Sequence, residues 1–375
     1  MIKQKKISHY HWKGLSEMVS PICVGCGACA NICPKKCITM SYSSKGWYRP
    51  VICKDLCIEC NACKDVCPVL NGYKPNKKMK KAAFFINKDE YFRGLSSSGG
   101  FFHALASLIF KENGVVFGAY LDKDFVVRHG FCEKEDELFP FLTSKYVQSN
   151  TNTSYTQVKK FLNDGRKVLY TGTPCNIAGL SSFLGGRQPK NLLTCELFCH
   201  GVPSPYSWSA YLNEYYKLDE IRYILFRCKD AGWWKCGLRI QFLHNDYYTP
   251  MREMHDDYMR AFLKNINLNE ACYDCKFKCD CKNADFTIGD GWNVNRVRSN
   301  MDDNKGITTV LINSKLGEDY FEMLKKHHCY EISIDDALFV RTELVATKEV
   351  PKIRDKFMND LLNNGFKYAI NSNNI

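Results

Sequence analysis

Two stretches of this chain write one cysteine pattern twice: Cys23-Val-Gly-Cys26-Gly-Ala-Cys29-Ala-Asn-Ile-Cys33-Pro34 and Cys57-Ile-Glu-Cys60-Asn-Ala-Cys63-Lys-Asp-Val-Cys67-Pro68. Each run has three cysteines at two-residue spacing, a fourth after a three-residue gap, and then proline. Two-residue gaps let a tight loop aim successive sulfurs at one small object, as an iron–sulfur cube requires of its soft thiolate ligands. Gly25, Gly27, Ala28 and Ala62 keep the loops close, and glycine reaches φ values that other residues avoid. The proline fixes φ and stops the turn. The competing chemistry is a pair of structural zinc sites, but those use two separated Cys-x-x-Cys pairs rather than a triple run closed by Cys-Pro.

The double run resembles the bacterial two-cluster ferredoxin, in which three thiolates of each run hold one [4Fe-4S] cube and the fourth crosses to the other. The resemblance implies Cys23, Cys26, Cys29 and Cys67 around one cluster. Cys57, Cys60, Cys63 and Cys33 would hold the second. Cys37 and Cys53 are extra to the pattern and are expected as buried thiols.

Other loops could also do chemistry. Arg93-Gly-Leu-Ser96-Ser97-Ser98-Gly99-Gly100 precedes a helical pattern, where glycines, hydroxyls and a helix N-terminus suit a nucleotide pyrophosphate such as a flavin's. The same Ser-Gly-Gly is also an ordinary N-cap and turn. Tyr170-Thr171-Gly172-Thr173-Pro174-Cys175-Asn176 leaves a strand and places a thiol at the mouth of a helix, where the dipole favours thiolate. Cys199-His200-Gly201 leaves another strand. Cys272-Tyr-Asp-Cys275-Lys-Phe-Lys-Cys279-Asp-Cys281 leads into a strand ending in Gly289-Asp290-Gly291-Trp292.

Positioning these loops needs regular elements. A polar lead-in at 1–20 precedes the double run, with Trp47-Tyr48 in the hairpin between its halves. The basic stretch at 74–81 reads as a solvated linker. Strands are expected at 82–86, 115–121, 125–131, 167–171, 192–198, 221–226, 238–243, 284–288 and 308–312. Helices fall at 99–113, 156–163, 177–184, 206–216, 256–266, 317–327 and 353–362. The expectation is an α+β ferredoxin-like N-terminal module (1–75), followed by a larger α/β domain with a mixed, largely parallel sheet (76–350) and a C-terminal helix and tail (351–375).

Composition narrows the class. The 375 residues are 45% hydrophobic and 25% charged, ordinary for a globular protein, but 21 are cysteine. Residues 1–14 are basic without an apolar core, which predicts no secretory signal and hence a reducing cytoplasm. The apolar run at 101–110 is too short to span a bilayer. Aromatic residues, 13% of the chain, do not interleave with a basic stripe, so no nucleic-acid partner is expected.

Behind the double run come SSSGG, LTSKYVQS, TGTPCNIAG, FCHGVPS, DDYMRAFL, CYDCKF and ADFTIGDGW, in that order. The chain thereby resembles the coenzyme F420 hydrogenase/dehydrogenase beta-subunit family, especially bacterial members with an N-terminal two-cluster ferredoxin. The resemblance implies FAD in the α/β domain and a third [4Fe-4S] cluster on Cys175, Cys199, Cys272 and Cys275. Cys279 or Cys281 could replace one of these ligands. Ser96, Ser97, Ser98, Gly99, Gly100, Lys145, Thr171, Thr173 and Asn176 become candidates for the flavin, although Asn176 stands where relatives usually carry glutamine. His200, Asp290 and Lys145 are candidate catalytic groups; a loop cap, a structural carboxylate and a solvated lysine are the respective alternatives. Arg227 and Trp233-Trp234 could line a substrate mouth. The implied function is an oxidoreductase moving electrons from ferredoxin or a similar low-potential donor, through the clusters and FAD, to a small organic substrate. Surface-polysaccharide metabolism is one setting of bacterial relatives. A relay beta subunit of a larger hydrogenase or dehydrogenase, and a non-enzymatic metal-binding scaffold, are the rivals.

Overall fold

The computed structural model describes residues 22–279, 281–292, 294–339 and 349–375. The lead-in at 1–20 lies outside them. Each cysteine run closes on one short helix, Ala28–Ile32 and Ala62–Asp65. Between the runs, β1 (Ile38–Tyr42) pairs antiparallel with β2 (Tyr48–Ile52). Trp47, at the end of the hairpin turn, is buried in one apolar cluster with Val147 and Trp208 of the larger domain.

The remaining strands are β3 (Lys77–Lys78), β4 (Lys81–Ile86), β5 (Val115–Leu121), β6 (Val127–Cys132), β7 (Val168–Gly172), β8 (Leu192–Leu197), β9 (Ile221–Cys228), β10 (Gly237–Phe242), β11 (Asp246–Pro250), β12 (Cys281–Lys282), β13 (Phe286–Asp290), β14 (Thr308–Ile312) and β15 (His328–Ile332). Eight of them form one sheet in the order β15-β4-β14-β13-β8-β7-β5-β6. Its centre, β13-β8-β7-β5, is parallel, and the flanking pairs are antiparallel. Strands β4, β5, β7, β8 and β13 therefore run one way, giving a mixed, largely parallel sheet.

The central strands carry apolar runs such as Val115-Val116-Phe117, Val168-Leu169-Tyr170 and Leu192-Leu193, all buried because helices cover both faces. Helices Phe101–Lys111 and Lys315–Leu324 bury Leu105, Ile109, Phe321 and Leu324 on one face. Helices Ser154–Asn163 and Pro174–Phe183 bury Val158, Leu162, Ile177 and Leu180 on the other. Each such side chain contributes about 1.5–3 kcal/mol by leaving water. Cys26, Ala28 and Val66 join this second cluster, so the cysteine module shares a core with the sheet. A second, antiparallel sheet, β11-β10-β9, packs with helices Pro205–Tyr215, Asp257–Leu263, Arg354–Asn364 and Phe366–Ser372.

Several expectations need correction. The stretch at 74–81 is not wholly solvated: β3 pairs with β12, and buried Lys77 lies 2.7 Å from Asp285. Cys53 is exposed rather than buried. Strand β6 starts two residues late because Phe125 (φ +57) closes a turn, donating its N–H to Asp122 O at 3.0 Å. The helix expected to end at Gly114 stops at Lys111, and Asn113 (φ +53) takes the left-handed turn. The tail is two helices joined at Gly365 (φ +93), not one. Strands β3, β11, β12 and β15 are additional to the expected set.

Candidate functional site

Three groups of thiols form. In the first, burial lifts the thiols of Cys23, Cys26 and Cys29, Cys26 to about 12, and the Cys67 sulfur pushes each further up. Thiols so crowded and neutral need a bound cation to become ligands. Cys67 therefore stands beside the first run, as crossing over requires. In the second, Cys33 packs with Cys57 and Cys63. Burial raises Cys63, and the sulfurs of Cys57 and Cys60 add to this. Among the described residues, no three His, Cys, Asp or Glu side chains converge tightly enough to hold a single metal ion.

The third group gathers from two strand ends and a turn that follows helix Asp257–Leu263. Cys175, Cys199, Cys272 and Cys275 line one niche with Lys278, Val24 and, among the described residues, no carboxylate. Burial lifts Cys175 first, then Cys199, Cys275 and Cys272 push in the same direction. Val202 donates its N–H to Cys272 Sγ at 3.5 Å. Cys279 and Cys281 do not line the niche: the Cys279 thiol turns to Cys281 O at 2.8 Å, and Cys281 lies in β12. Cys195, Cys228 and Cys236 are buried elsewhere.

A cavity of about 450 Å³ opens beside this niche. It lies at the carboxyl ends of β4, β7, β8 and β13, where α/β sheets bind ligands. Ser96, Ser97, Ser98, Gly100, Lys145, Thr171, Thr173, Asn176, His200 and Asp290 all line it. Cys175, Cys199 and Val24 belong to both cavity and niche. Gly99 does not line the cavity; a Cβ there would stand 2.3 Å from Phe85 O, so glycine lets the loop lie against the sheet.

The three serine hydroxyls are engaged within the protein. Ser96 donates to Phe92 O at 2.7 Å, Ser98 donates to Ile307 O, and Ser97 bonds Ser144. Gly100 (φ +83) caps helix Phe101–Lys111 without a side-chain bond, and Gly100, Phe101 and Phe102 line the cavity, so the positive end of this helix lies at its wall. Half-buried Lys145 donates to Leu142 O at 2.6 Å and Thr143 O at 3.1 Å, and desolvation pulls it down to about 7. Asn176 Oδ1 accepts from Thr173 N at 3.3 Å and Thr173 Oγ1 at 2.6 Å, so it starts helix Pro174–Phe183. Thr171 Oγ1 donates to Phe117 O at 2.8 Å.

Asp290 is held in a fork by Arg227, at 2.8 and 3.2 Å. Burial opposes the guanidinium charge, but Asp290 outweighs it and keeps Arg227 well above the ordinary range. Arg227 also donates to Ser97 O at 3.2 Å. Lys229 binds the carbonyls of Arg93, Ser98 and Lys305, each at 2.7 Å, fixing the serine loop from behind. His200 Nε2 lies 2.7 Å from Asn265 Oδ1. No motif pointed to His129, whose ring lines the cavity beside Thr171 O at 3.1 Å and is pushed down to about 4 by burial. Trp292 lines the cavity, while Trp233 is buried and stacks on it at 4.2 Å.

Comparison with known proteins bears on the same two regions. Residues 22–71 match the family model described as a 4Fe-4S dicluster domain. Residues 165–337 match the model for the C terminus of the coenzyme F420 hydrogenase/dehydrogenase beta subunit. No curated protein matches the chain. Among solved structures, a chain from the xenon-derivatised F420-reducing [NiFe] hydrogenase complex of Methanosarcina barkeri aligns at 15% identity and TM-score 0.46, covering 79% of this chain and 91% of that one. The dicluster match falls on the twin runs, and the beta-subunit match spans the loops that carry Cys175, Cys199, Cys272 and Cys275. Both lie on one polypeptide, and together they support the coenzyme F420 hydrogenase/dehydrogenase beta-subunit family for this chain.

Proposed function

We propose that the chain is an iron–sulfur flavoprotein oxidoreductase that takes electrons from ferredoxin or a similar low-potential donor. Its [4Fe-4S] clusters would pass them to FAD and on to a small organic substrate. The observation that carries this reading is the shared wall: Cys175 and Cys199 line both the four-thiol niche and the 450 Å³ cavity. A cavity of that size falls in the range of cofactor sites.

The residues present fit a flavin nucleotide. Lys145 is a half-buried amine that donates to two carbonyls, and the N-terminus of helix Phe101–Lys111 at Gly100–Phe102 adds positive potential. Together they would hold phosphate oxygens, while Phe141, Phe198 and Ile288 offer apolar surface to a ring. When bound, FAD supplies the exchange between single electrons and a two-electron reduction. The chain's own groups position and protonate. Asp290, paired with Arg227, orients that guanidinium. Lys145, which desolvation lowers to about 7, would hold a transferable proton at the cavity, which His200 also lines.

The family's designation as a beta subunit favours a second reading, in which the chain relays electrons for a separate catalytic subunit. Anaerobic purification with iron and flavin analysis decides first: about twelve irons, three clusters' worth, with one flavin per chain is expected. Fewer than about eight irons with no flavin overturns the proposal. Stable co-purification with a catalytic subunit, and no flavin reactivity alone, favours the relay.

A further inference from the structure

A fifth sulfur stands at the second thiol group. Lys36 takes φ +49 and donates its N–H to Cys33 O at 3.1 Å, turning the chain back so that Cys37 meets the residue four positions before it. Cys53 N donates to Cys37 O at 2.8 Å and pins this residue at the foot of β1. The Cys37 sulfur lies 3.3 Å from that of Cys33, and both are buried in one cluster with Cys57 and Cys63. Sulfurs bound to different corners of a cube splay apart, so two sulfurs in hydrogen-bond contact are not two corner ligands. If iron holds Cys33 as thiolate, the remaining proton sits on Cys37, and a thiol against a thiolate donates to it. The other run has no such arrangement. At the matching position stands Asn71, whose amide donates to the carbonyls of Lys64, Asp65 and Cys67.

We propose that Cys37 is a positioning residue for the second cluster, donating an S–H···S hydrogen bond to the iron-bound Cys33 sulfur and raising that cluster's reduction potential. A donor to a cluster sulfur withdraws electron density and stabilises the more negative, reduced state. The inference rests on reading Cys33, Cys57, Cys60 and Cys63 as a [4Fe-4S] site.

The test is a redox titration of the anaerobically purified full chain, followed by the EPR of its reduced clusters, with iron counted in each variant. Cys37→Ala is expected to keep the native iron content and to lower the midpoint of one signal only. Cys37→Ser, which retains a donor and keeps the test usable if the alanine variant misfolds, is expected to shift it less. Cys33→Ala is expected to lose about four irons. Unchanged midpoints at native iron content overturn the proposal. Iron lost in Cys37→Ala but retained in Cys33→Ala also overturns it, making Cys37 the ligand. Native iron content in Cys60→Ala would instead remove the cluster reading itself.

Discussion

The two cysteine runs share one spacing and differ in what surrounds them. Gly25 and Gly27 of the first run take φ +69 and +75; Glu59 and Asn61 take φ +54 and +60 at the matching places of the second. Both loops therefore need the left-handed conformation, and only one needs glycine. A Cβ on Gly25 would stand 2.2 Å from Gln148 Nε2, and one on Gly27 would stand 2.0 Å from Thr151 Oγ1. Those two side chains clamp the first run: Gln148 bonds Val24 O and Tyr48 N, and Thr151 bonds Cys26 O. Helix Pro174–Phe183 carries Cys175 in its first turn and sets Gly179 against Cys26 one turn later. The second run faces solvent, with Leu56 and Ile58 each 57% exposed. One spacing thus makes an inward group packed against the sheet beside the cavity and an outward group facing solvent.

The largest way to break this contrast is to exchange the distinguishing residues. Gly27→Asn is expected to cost about 3 kcal/mol or more, because Thr151 must abandon its bond to the cluster loop. Asn61→Gly, the reverse change in the outer run, is expected to stay within about 0.5 kcal/mol. Urea unfolding followed by tryptophan fluorescence measures both; equal costs would erase the distinction.

The inward group matters because of the cavity, so the cavity's cation is the next place to press. Lys145→Met is expected to weaken flavin binding about 10- to 100-fold, the worth of one charge-assisted hydrogen bond. Fluorescence titration of the flavin-depleted protein reads it. The pH dependence follows from the same group. Burial lowers Lys145 from 10.5 to about 7, so between those values the unfolded chain holds a proton that the folded, ligand-free chain does not. Ligand-free stability should therefore rise with pH through that window and decline as pH falls towards 7. Flavin affinity should run oppositely, tightening from about pH 8 to about pH 6 as Lys145 gains its proton. Nearby His129, held to about 4, stays neutral there. Lys145→Met should flatten both profiles.

Smaller effects test the outward group. Ile58→Asp, which changes no ligand and fills no core, is expected to slow reduction by ferredoxin several-fold while iron content holds. Stopped-flow mixing measures it, and an unchanged rate would move the donor's docking place elsewhere. The smallest effect is expected at Cys279 and Cys281. Alanine at either should leave iron content unchanged, since neither lines the third niche.

What could be read from the sequence was what short-range patterns determine. The twin runs announce their chemistry within twelve residues, and the central strands announce burial by short apolar runs such as Val115-Val116-Phe117 and Val168-Leu169-Tyr170. The contrast between Gly25-Gly27 and Glu59-Asn61 is equally visible in the chain, although its meaning depends on Gln148 and Thr151, more than a hundred residues away. Long-range partners explain the rest. Lys77 reads as a linker lysine until Asp285 appears beside it, and Asp290 as a free carboxylate until Arg227 does. The gathering of Cys175 and Cys199 with Cys272 and Cys275 came only from family resemblance, because no local spacing joins three separate loops.

The inward run and the cavity are joined only if the third thiol group carries electrons between them. Cys272 tests that link most cleanly, since it lines the niche but not the cavity. Anaerobic mixing of the chain with reduced ferredoxin, watched at the cluster and flavin absorption bands together, is the measurement. In Cys272→Ala about eight irons should remain and still accept electrons. The flavin should stay bound, and its band should no longer bleach. Bleaching at the native rate in that variant would show that electrons reach the flavin by another route.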